Sequence, residues 1–254
     1  MAHTSSIIDS DPFLSARNDA SSVPLRELLE NKSCYSSYAP GEAYSYSNFG
    51  VAVLADVAES ITGEHFSDYA RENVFRPMGL SCDFLASHIE KPELIADLLQ
   101  PGRVRTRSAE AQLKTADCDA LAQTYHIYQG NLTSCASDYA RLLCLLMNGG
   151  WCGENRIISQ NSADEIMRTQ YESSSIVQCL CLKKLSSAVP GRTVYAHTGN
   201  MYGAFNSFAF DASDSTGVVV ITTGVDAQLE ASGLYDVCGE IIREIYTYID
   251  IPKN

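Results

Sequence analysis

Two tripeptides gather the side chains of this chain best suited to chemistry: Tyr46-Ser47-Asn48 in the first fifth, and His197-Thr198-Gly199, followed by Asn200, toward the end. A phenol titrates near pH 10 in water, so Tyr46 can take a proton at neutrality only where a cation lowers its pKa or shares the proton. Asn48, two residues on, offers a donor and an acceptor from one amide. His197 can change its charge near neutral pH. Thr198 can donate to a carboxylate or a phosphate-like group, and Gly199 lets a ligand lie against a strand edge. Each tripeptide alone is short, and a tyrosine and a capping asparagine before a helix are routine.

The elements that must position these groups can be read from periodicity. From Asn48 to Gly63 the apolar residues Val51, Leu54, Ala55, Ala58 and Ile61 recur at helical spacing; Ser47 or Asn48 can cap the start, and Gly63 suits a left-handed stop. Capping is therefore the expected role of Ser47, not nucleophilic attack. Residues 1 to 46 read as an extended loop region apart from a short helix over Leu25 to Leu29. A second helix through Phe66, Tyr69, Ala70 and Val74 should end at Pro77. Pro92 and Pro101-Gly102 break any pattern between 81 and 130, an insertion long enough to wall a cleft. Ser137 is expected to cap a helix over Asp138 to Asn148, and Ser162 with Glu165 has capping-box spacing for a helix to Gln170. After that the period changes from 3.6 to 2. Ile176 to Leu182, Thr193 to His197, Ala204 to Phe210 and Gly217 to Thr223 read as strands, the last two joined by a polar turn over Asp211 to Thr216. Leu234, Val237, Cys238, Ile241, Ile245 and Ile249 mark an amphipathic helix suited to cover that sheet. The order implies an α+β fold in a single domain, 1–254, with a mainly helical lobe over 1–170 and antiparallel strands plus a C-terminal helix over 171–254.

The composition narrows the partners. A chain of 254 residues with 45% hydrophobic content can bury one large core. A net charge of −13 disfavours nucleic acid. The densest basic run, Arg103-Val104-Arg105-Thr106-Arg107, reads as a solvated loop. No apolar stretch is long enough to span a bilayer and no leader is visible, so the chain as written is expected in the cytoplasm. Nine cysteines, an odd number spread through helical and strand-like runs, favour buried thiols over a disulfide scaffold. Cys179 and Cys181 share a strand face but lack a second ligand pair, so no metal site is expected. Asn131-Leu132-Thr133 matches a glycosylation sequon by chance. His3, His65, His88 and His126 have no partner at catalytic or ligand spacing and are assigned to surface or capping positions. Tyr35, Tyr38 and Tyr44 either line a cleft or pack beneath their loop.

With Pro40-Gly41 upstream and Pro77-Met78-Gly79 downstream, the two tripeptides make the chain resemble the β-lactamase-related serine hydrolases: class C β-lactamases, penicillin-binding D,D-peptidases and related esterases. The resemblance covers nearly the whole chain. It implies a β-lactamase/transpeptidase-like fold, an antiparallel sheet flanked by helices with a helical lobe beside it, and a site between the two. It assigns Tyr46 as the base that takes the nucleophile's proton and Asn48 as the amide that holds a lysine and the substrate's carbonyl. His197 stands in place of the lysine of Lys-Thr-Gly, as in the esterase-like and peptidase-like branches, which makes penicillin-type carboxylate recognition less secure. Thr198, Gly199 and the backbone N–H of Asn200 become the substrate cradle, the last as an oxyanion donor. No metal or organic cofactor is implied.

The family's nucleophile is the serine of a Ser-x-x-Lys motif, whose lysine shares its helix face. Lys32, Lys91, Lys114, Lys183, Lys184 and Lys253 are preceded at that spacing by Leu29, His88, Ala111, Leu180, Cys181 and Asp250, none of them serine. Cys181 offers a thiol before Lys184, but the run around it alternates like a strand, where positions three apart face opposite ways. His3-Thr4-Ser5-Ser6 resembles the His-Thr-Ser-Gly that follows the nucleophile helix, so Met1 reads as an internal methionine of a truncated chain. By the same resemblance two N-terminal strands and the nucleophile helix are missing, which would leave an apolar groove and a sheet edge open to self-association. The expectation is thus a serine hydrolase relative, built for acyl transfer on an amide, ester or β-lactam carbonyl of a small-molecule or peptide-like substrate, and catalytically incompetent as this chain. The alternative is a non-catalytic module of the same fold that binds a peptide-like or acyl ligand. Complementation, with another chain supplying the missing segments, is a third possibility.

Overall fold

A computed structural model describes residues 1–18, 23–116 and 127–250, so the assignment of His126 lies outside the described residues. The chain divides into two compact units, one formed by Met1–Pro92 with Leu113–Thr133 and the other by Glu93–Gln112 with Ser134–Asn254. No helix among the described residues is long and apolar enough to cross a membrane.

In the first unit, helices α1 (Asp11–Asn18), α2 (Leu25–Glu30) and α3 (Asn48–Thr62) share one core. α1 corrects the reading of residues 1 to 46 as extended loop. Its eight residues are too few for a clear period, and burial holds it: Phe13 is fully buried and stacks on Phe49 with ring centroids 4.8 Å apart. The start and stop of α3 follow the sequence. Ser47 Oγ accepts from the Gly50 N–H at 2.8 Å, and Gly63 ends the helix at φ 75°. Its apolar stripe does not. Of the residues in it Ala55 is buried but Leu54 and Ile61 are exposed, while Asp56 and Glu59 face inward.

Glu59 has a clear purpose there. It accepts from the Tyr128 hydroxyl at 3.0 Å and from the Phe66 N–H at 2.9 Å, thereby satisfying the first turn of α4 (Phe66–Ala70), which runs on through one π turn over Arg71–Phe75. Asp56 lacks such partners: its Oδ1 is buried with no hydrogen bond among the described residues, and burial, then the charge of Glu59, pushes its carboxyl from 3.8 up to about 7.

The second unit holds a β1 (Leu98–Gln100)–β2 (Val104–Arg107) pair, the short helix α5 (Ala109–Leu113, its last residue counted with the first unit), α6 (Ala136–Met147), the β3 (Trp151–Cys152)–β4 (Asn155–Arg156) hairpin and α7 (Gln160–Met167). Then come β5 (Tyr171–Glu172), β6 (Val177–Gln178), β7 (Lys183–Leu185), β8 (Val194–Met201), β9 (Ala204–Asp211), β10 (Thr216–Thr223) and α8 (Asp236–Ile249). The last six strands form one antiparallel sheet in the order β10-β9-β8-β7-β6-β5. Alternation along the strands feeds two cores. Val194, Ala196, Ala209, Val218 and Val220 pack under Cys238, Ile242 and Tyr246 of α8. Phe208, Phe210 and Leu182 pack with Leu143 of α6 and, at the margin, Ile166 of α7. The α+β architecture inferred from the sequence is therefore present.

Several boundaries differ from the sequence reading. The basic run Arg103–Arg107 is largely strand, with Arg105 ion-paired to Asp97 at 2.7 Å. The run Ile176–Leu182 is not one strand: it turns between β6 and β7, with Cys181 exposed at φ 58°, so Cys179 and Cys181 share no strand face and Cys181 stands in no helical register with Lys184. α6 and α7 each begin two residues early, after Cys135 and after Ser159, whose hydroxyl accepts from the Ser162 N–H. No disulfide joins the described cysteines.

Arg192, just before β8, ties the sheet together. It pairs with Asp211 at 2.9 Å, with Asp214 at 2.6 Å and with Asp250, and lies 4.8 Å over the Tyr246 ring. Its neighbours hold its charge more firmly than usual, the Asp250 hydrogen bond foremost.

Two outcomes are expected. Arg192→Met leaves the nearly buried Asp211 uncompensated and should cost about 3 kcal/mol in chemical denaturation. For Asp56, the folded state keeps a proton that the unfolded chain loses near its ordinary value, so this group's stability is complete below about pH 4 and falls as pH rises toward 7. Asp56→Asn should raise the melting temperature at pH 8 and leave it nearly unchanged at pH 4; an equal shift at both contradicts the assignment.

Candidate active site

The first unit places Tyr46 and Asn48 where the sequence put them, at the N-terminus of α3, and adds two residues that sequence reasoning missed. Asp9 is the anchor. Its carboxylate accepts from Asn48 Nδ2 at 2.6 Å, from the Phe49 N–H at 2.8 Å and from Ser47 Oγ at 3.4 Å. A carboxylate against the first-turn N–H groups also meets the positive end of the helix dipole. Some forty residues separate Asp9 from these partners, so no local pattern points to it.

The other is His3, which corrects its assignment to a surface or capping position. It is 5% exposed, at φ 57°, and its Nδ1 accepts from the Ser47 N–H at 3.1 Å. Its ring stacks on Tyr46 with centroids 4.4 Å apart and meets Tyr44 edge-on at 5.8 Å. Tyr46 itself is 44% exposed. Burial, then the neighbouring Tyr46, pushes the Tyr44 phenol up to about 12, so Tyr44 stays a neutral packing group. Tyr35 and Tyr38 are exposed. His65 sits at the N-cap position of α4, and His88 lies against Arg71.

In the second unit, β8 carries His197, Thr198, Gly199 and Asn200 in register with Phe208, Ser207, Asn206 and Phe205 of β9. On its other edge β7 pairs only with Val194, Tyr195 and Ala196, through Leu185, Lys184 and Lys183. The edge is thus without a β7 partner from His197 onward, where an extended ligand can add to the sheet. The His197 ring is near-parallel to that of Phe208 with centroids 6.4 Å apart, and burial, then the charge of Lys183, pushes its pKa from 6.5 down to about 4. At neutral pH it is an uncharged imidazole, not a cation. Lys183 is lowered as well, by burial.

Space opens beside this edge. A Cβ built on Gly199 meets no atom within 4 Å. Gly203, in the turn to β9, is the opposite case: φ is 83° and a Cβ would lie 2.1 Å from the Leu99 carbonyl oxygen, so only glycine fits. A cleft of about 500 Å³ lies next to Asn200, bordered by Gln100, Thr106, Tyr202, Phe205 and Asp226. Two half-sites result: a capped helix N-terminus with a stacked phenol, and a strand edge with a neutral imidazole, a hydroxyl and an open glycine.

Three comparisons bear on what this arrangement is. The sequence model of the Beta-lactamase family matches residues 1–236. Among solved structures, an octameric penicillin-binding protein homologue from Pyrococcus abyssi is 15% identical with a TM-score of 0.69, the match covering 100% of this chain and 55% of that one. D-amino acid amidase from Ochrobactrum anthropi SV3, complexed with D-phenylalanine, is 16% identical with a TM-score of 0.63 over 99% of this chain and 71% of its own. A class C β-lactamase mutant is 14% identical with a TM-score of 0.67, over 97% and 68%. The chain thus spans only about half to seven-tenths of these neighbours' length. No curated protein gives a significant match.

Two measurements check the half-sites. Ser47→Ala should cost about 1 kcal/mol of stability through the lost cap, and Asp9→Ala about 2 kcal/mol through three unsatisfied donors, both by denaturant melts. For His197 the folded pKa lies below the ordinary value, so its contribution is intact above pH 6.5 and is lost as pH falls from there to about 4. Proton NMR should show His197 titrating near pH 4, and His197→Gln should flatten the acid limb of the stability profile; titration near 6.5 contradicts the buried placement.

Proposed function

Because the chain belongs to the β-lactamase family, we propose that it carries the ligand-holding residues of a serine hydrolase that transfers acyl groups from an amide, ester or β-lactam carbonyl, and that this chain does not turn such substrates over. One observation carries the second part: no lysine of the chain has a serine three residues before it. Acyl transfer needs a nucleophile, a base and donors aimed at the developing oxyanion. Tyr46 is proposed as the base and the Asn200 N–H as one donor; the attacking hydroxyl has no candidate.

Asn48 departs from the expected part. The resemblance gives its amide to a lysine and a substrate carbonyl, whereas here one Nδ2 hydrogen is held by Asp9. That commitment, together with the β8 edge and the adjoining cleft, favours the second reading, a module that binds a peptide-like or acyl ligand without turnover. A substrate lying along β8 would take hydrogen bonds from Thr198 and from the strand backbone, with the uncharged His197 accepting or donating according to its tautomer.

Both readings meet one experiment. Incubated with a chromogenic ester and with a cephalosporin, the chain should give no hydrolysis above buffer, whereas D-phenylalaninamide, chosen for the amidase neighbour, should raise its melting temperature. Gly199→Ala should remove that rise without lowering the unliganded melting point, since the added methyl enters empty space. Hydrolysis that survives Tyr46→Phe contradicts the proposed roles, and any reproducible turnover contradicts the inactive reading.

A further inference from the structure

Three segments of the second unit wall the cleft beside Asn200: the β1–β2 hairpin, the turn from β8 to β9, and the residues that follow β10. They are fastened to one another. The Leu99 N–H donates to Thr223 Oγ1 at 2.8 Å, the Gly224 N–H donates to the Leu99 carbonyl at 2.9 Å, and Thr106 Oγ1 donates to the Tyr202 carbonyl. The walls are therefore set before a ligand arrives. The space they leave, about 500 Å³, falls within the roughly 300–1,000 Å³ of small-molecule sites.

One residue on that lining carries a carboxylate, Asp226, and no lysine or arginine joins it there. Asp226 is exposed, and no described residue makes a hydrogen bond or ion pair with its side chain. The basic run on β2 supplies no counter-ion to the cleft: Arg105 pairs with Asp97 at 2.7 Å, Arg107 lies over the Tyr202 ring at 5.2 Å, and neither they nor Arg103 border the space. A carboxylate in a cleft with aromatic walls suits a cation. Calcium takes about six to eight oxygens, and no group of three metal-binding side chains occurs among the described residues, so a metal ion finds too few ligands here. A ligand carboxylate would meet like charge. An organic ammonium fits: Asp226 can accept its N–H groups in charge-assisted hydrogen bonds, while Tyr202 and Phe205 offer their rings to an apolar substituent. Phe205 is itself held edge-on against Tyr235 at 5.0 Å.

On the reading that an amide ligand lies along β8, we propose that Asp226 is a specificity-determining residue of this cleft, receiving the α-ammonium of an amino-acid amide or of a peptide's first residue while Tyr202 and Phe205 receive the side chain. Asn200 joins the two places, since it belongs to β8 and borders the cleft. In an α-amino amide the ammonium sits on the carbon next to the carbonyl, so a carbonyl held at the end of β8 carries its ammonium into the cleft. Acylation of that nitrogen removes the charge and adds bulk beside Asp226. The ligand class is therefore one with a free amino terminus.

Isothermal titration calorimetry at about pH 6, where an α-amino group is protonated, tests this with three probes: D-phenylalaninamide; 3-phenylpropanamide, which lacks only the amino group; and 3-phenylpropanoate. The first should bind about tenfold more tightly than the second, and the third more weakly than either. Asp226→Asn should bring the two amides within about twofold of each other by weakening the first alone, with unchanged circular dichroism. Glu154→Gln, which removes an exposed carboxylate in the β3–β4 turn, should change neither value. Two amides that the unaltered chain binds equally, or a preference that survives Asp226→Asn, overturn the role of Asp226 and leave the amide reading standing. Tighter binding of 3-phenylpropanoate makes the cleft an anion site and overturns that role too. If neither amide binds, the amide reading and the role given to Asp226 fall together.

Discussion

Among the described strands, β8 is paired on both edges as far as Ala196 and with β9 alone from His197 onward. That change of partners within a single strand decides what the second unit can offer a ligand. Arg192 fixes the fully held half by tying its start to the β9–β10 turn and to the end of α8. The half-held portion then presents backbone groups, a hydroxyl and a glycine with empty space around it. His197 lies at the junction, its ring near-parallel to that of Phe208 on the side that α6 helps to bury, and the burial it finds there lowers its pKa. A ligand there meets hydrogen-bonding groups and a half-buried lysine rather than the permanent cation of a Lys-Thr-Gly strand.

The first unit solves a different problem. A helix N-terminus carries four unpaired N–H groups, and here Ser47 and Asp9 together take up those of Gly50 and Phe49. Asp9 also draws in the Asn48 amide, and His3 turns a positive-φ backbone so that its ring supports Tyr46. The phenol is thereby held in a defined orientation while nearly half of its surface stays open. A positioned phenol acts as a base near neutrality only where a cation stands beside it.

Much of this was legible in the sequence because the signals were local. The Ser47 cap, the Gly63 stop, the change of period after Gln170 and the three alternations that became β8, β9 and β10 each belong to a few neighbouring residues, and the structure keeps them. Distant partnerships were not legible. Asp9 reaches residues some forty positions on, Arg192 joins the β9–β10 turn to the end of α8, and His3 is buried among partners about forty residues away, Tyr44, Tyr46 and Ser47. Period also misled in two places. The apolar stripe read for α3 includes Leu54 and Ile61, which stay exposed while two carboxylates turn inward. The alternation from Ile176 to Leu182 continues through a tight turn that periodicity cannot see.

The proposal under test is that these residues hold a carbonyl compound without attacking it, because no lysine of the chain has a serine three residues before it. Intact-mass spectrometry after exposure to a fluorophosphonate measures that directly, since the probe bonds only to an activated hydroxyl. The account predicts an unchanged mass at reagent concentrations that label a competent serine hydrolase completely. A single stoichiometric adduct mapped to one serine of this chain contradicts it.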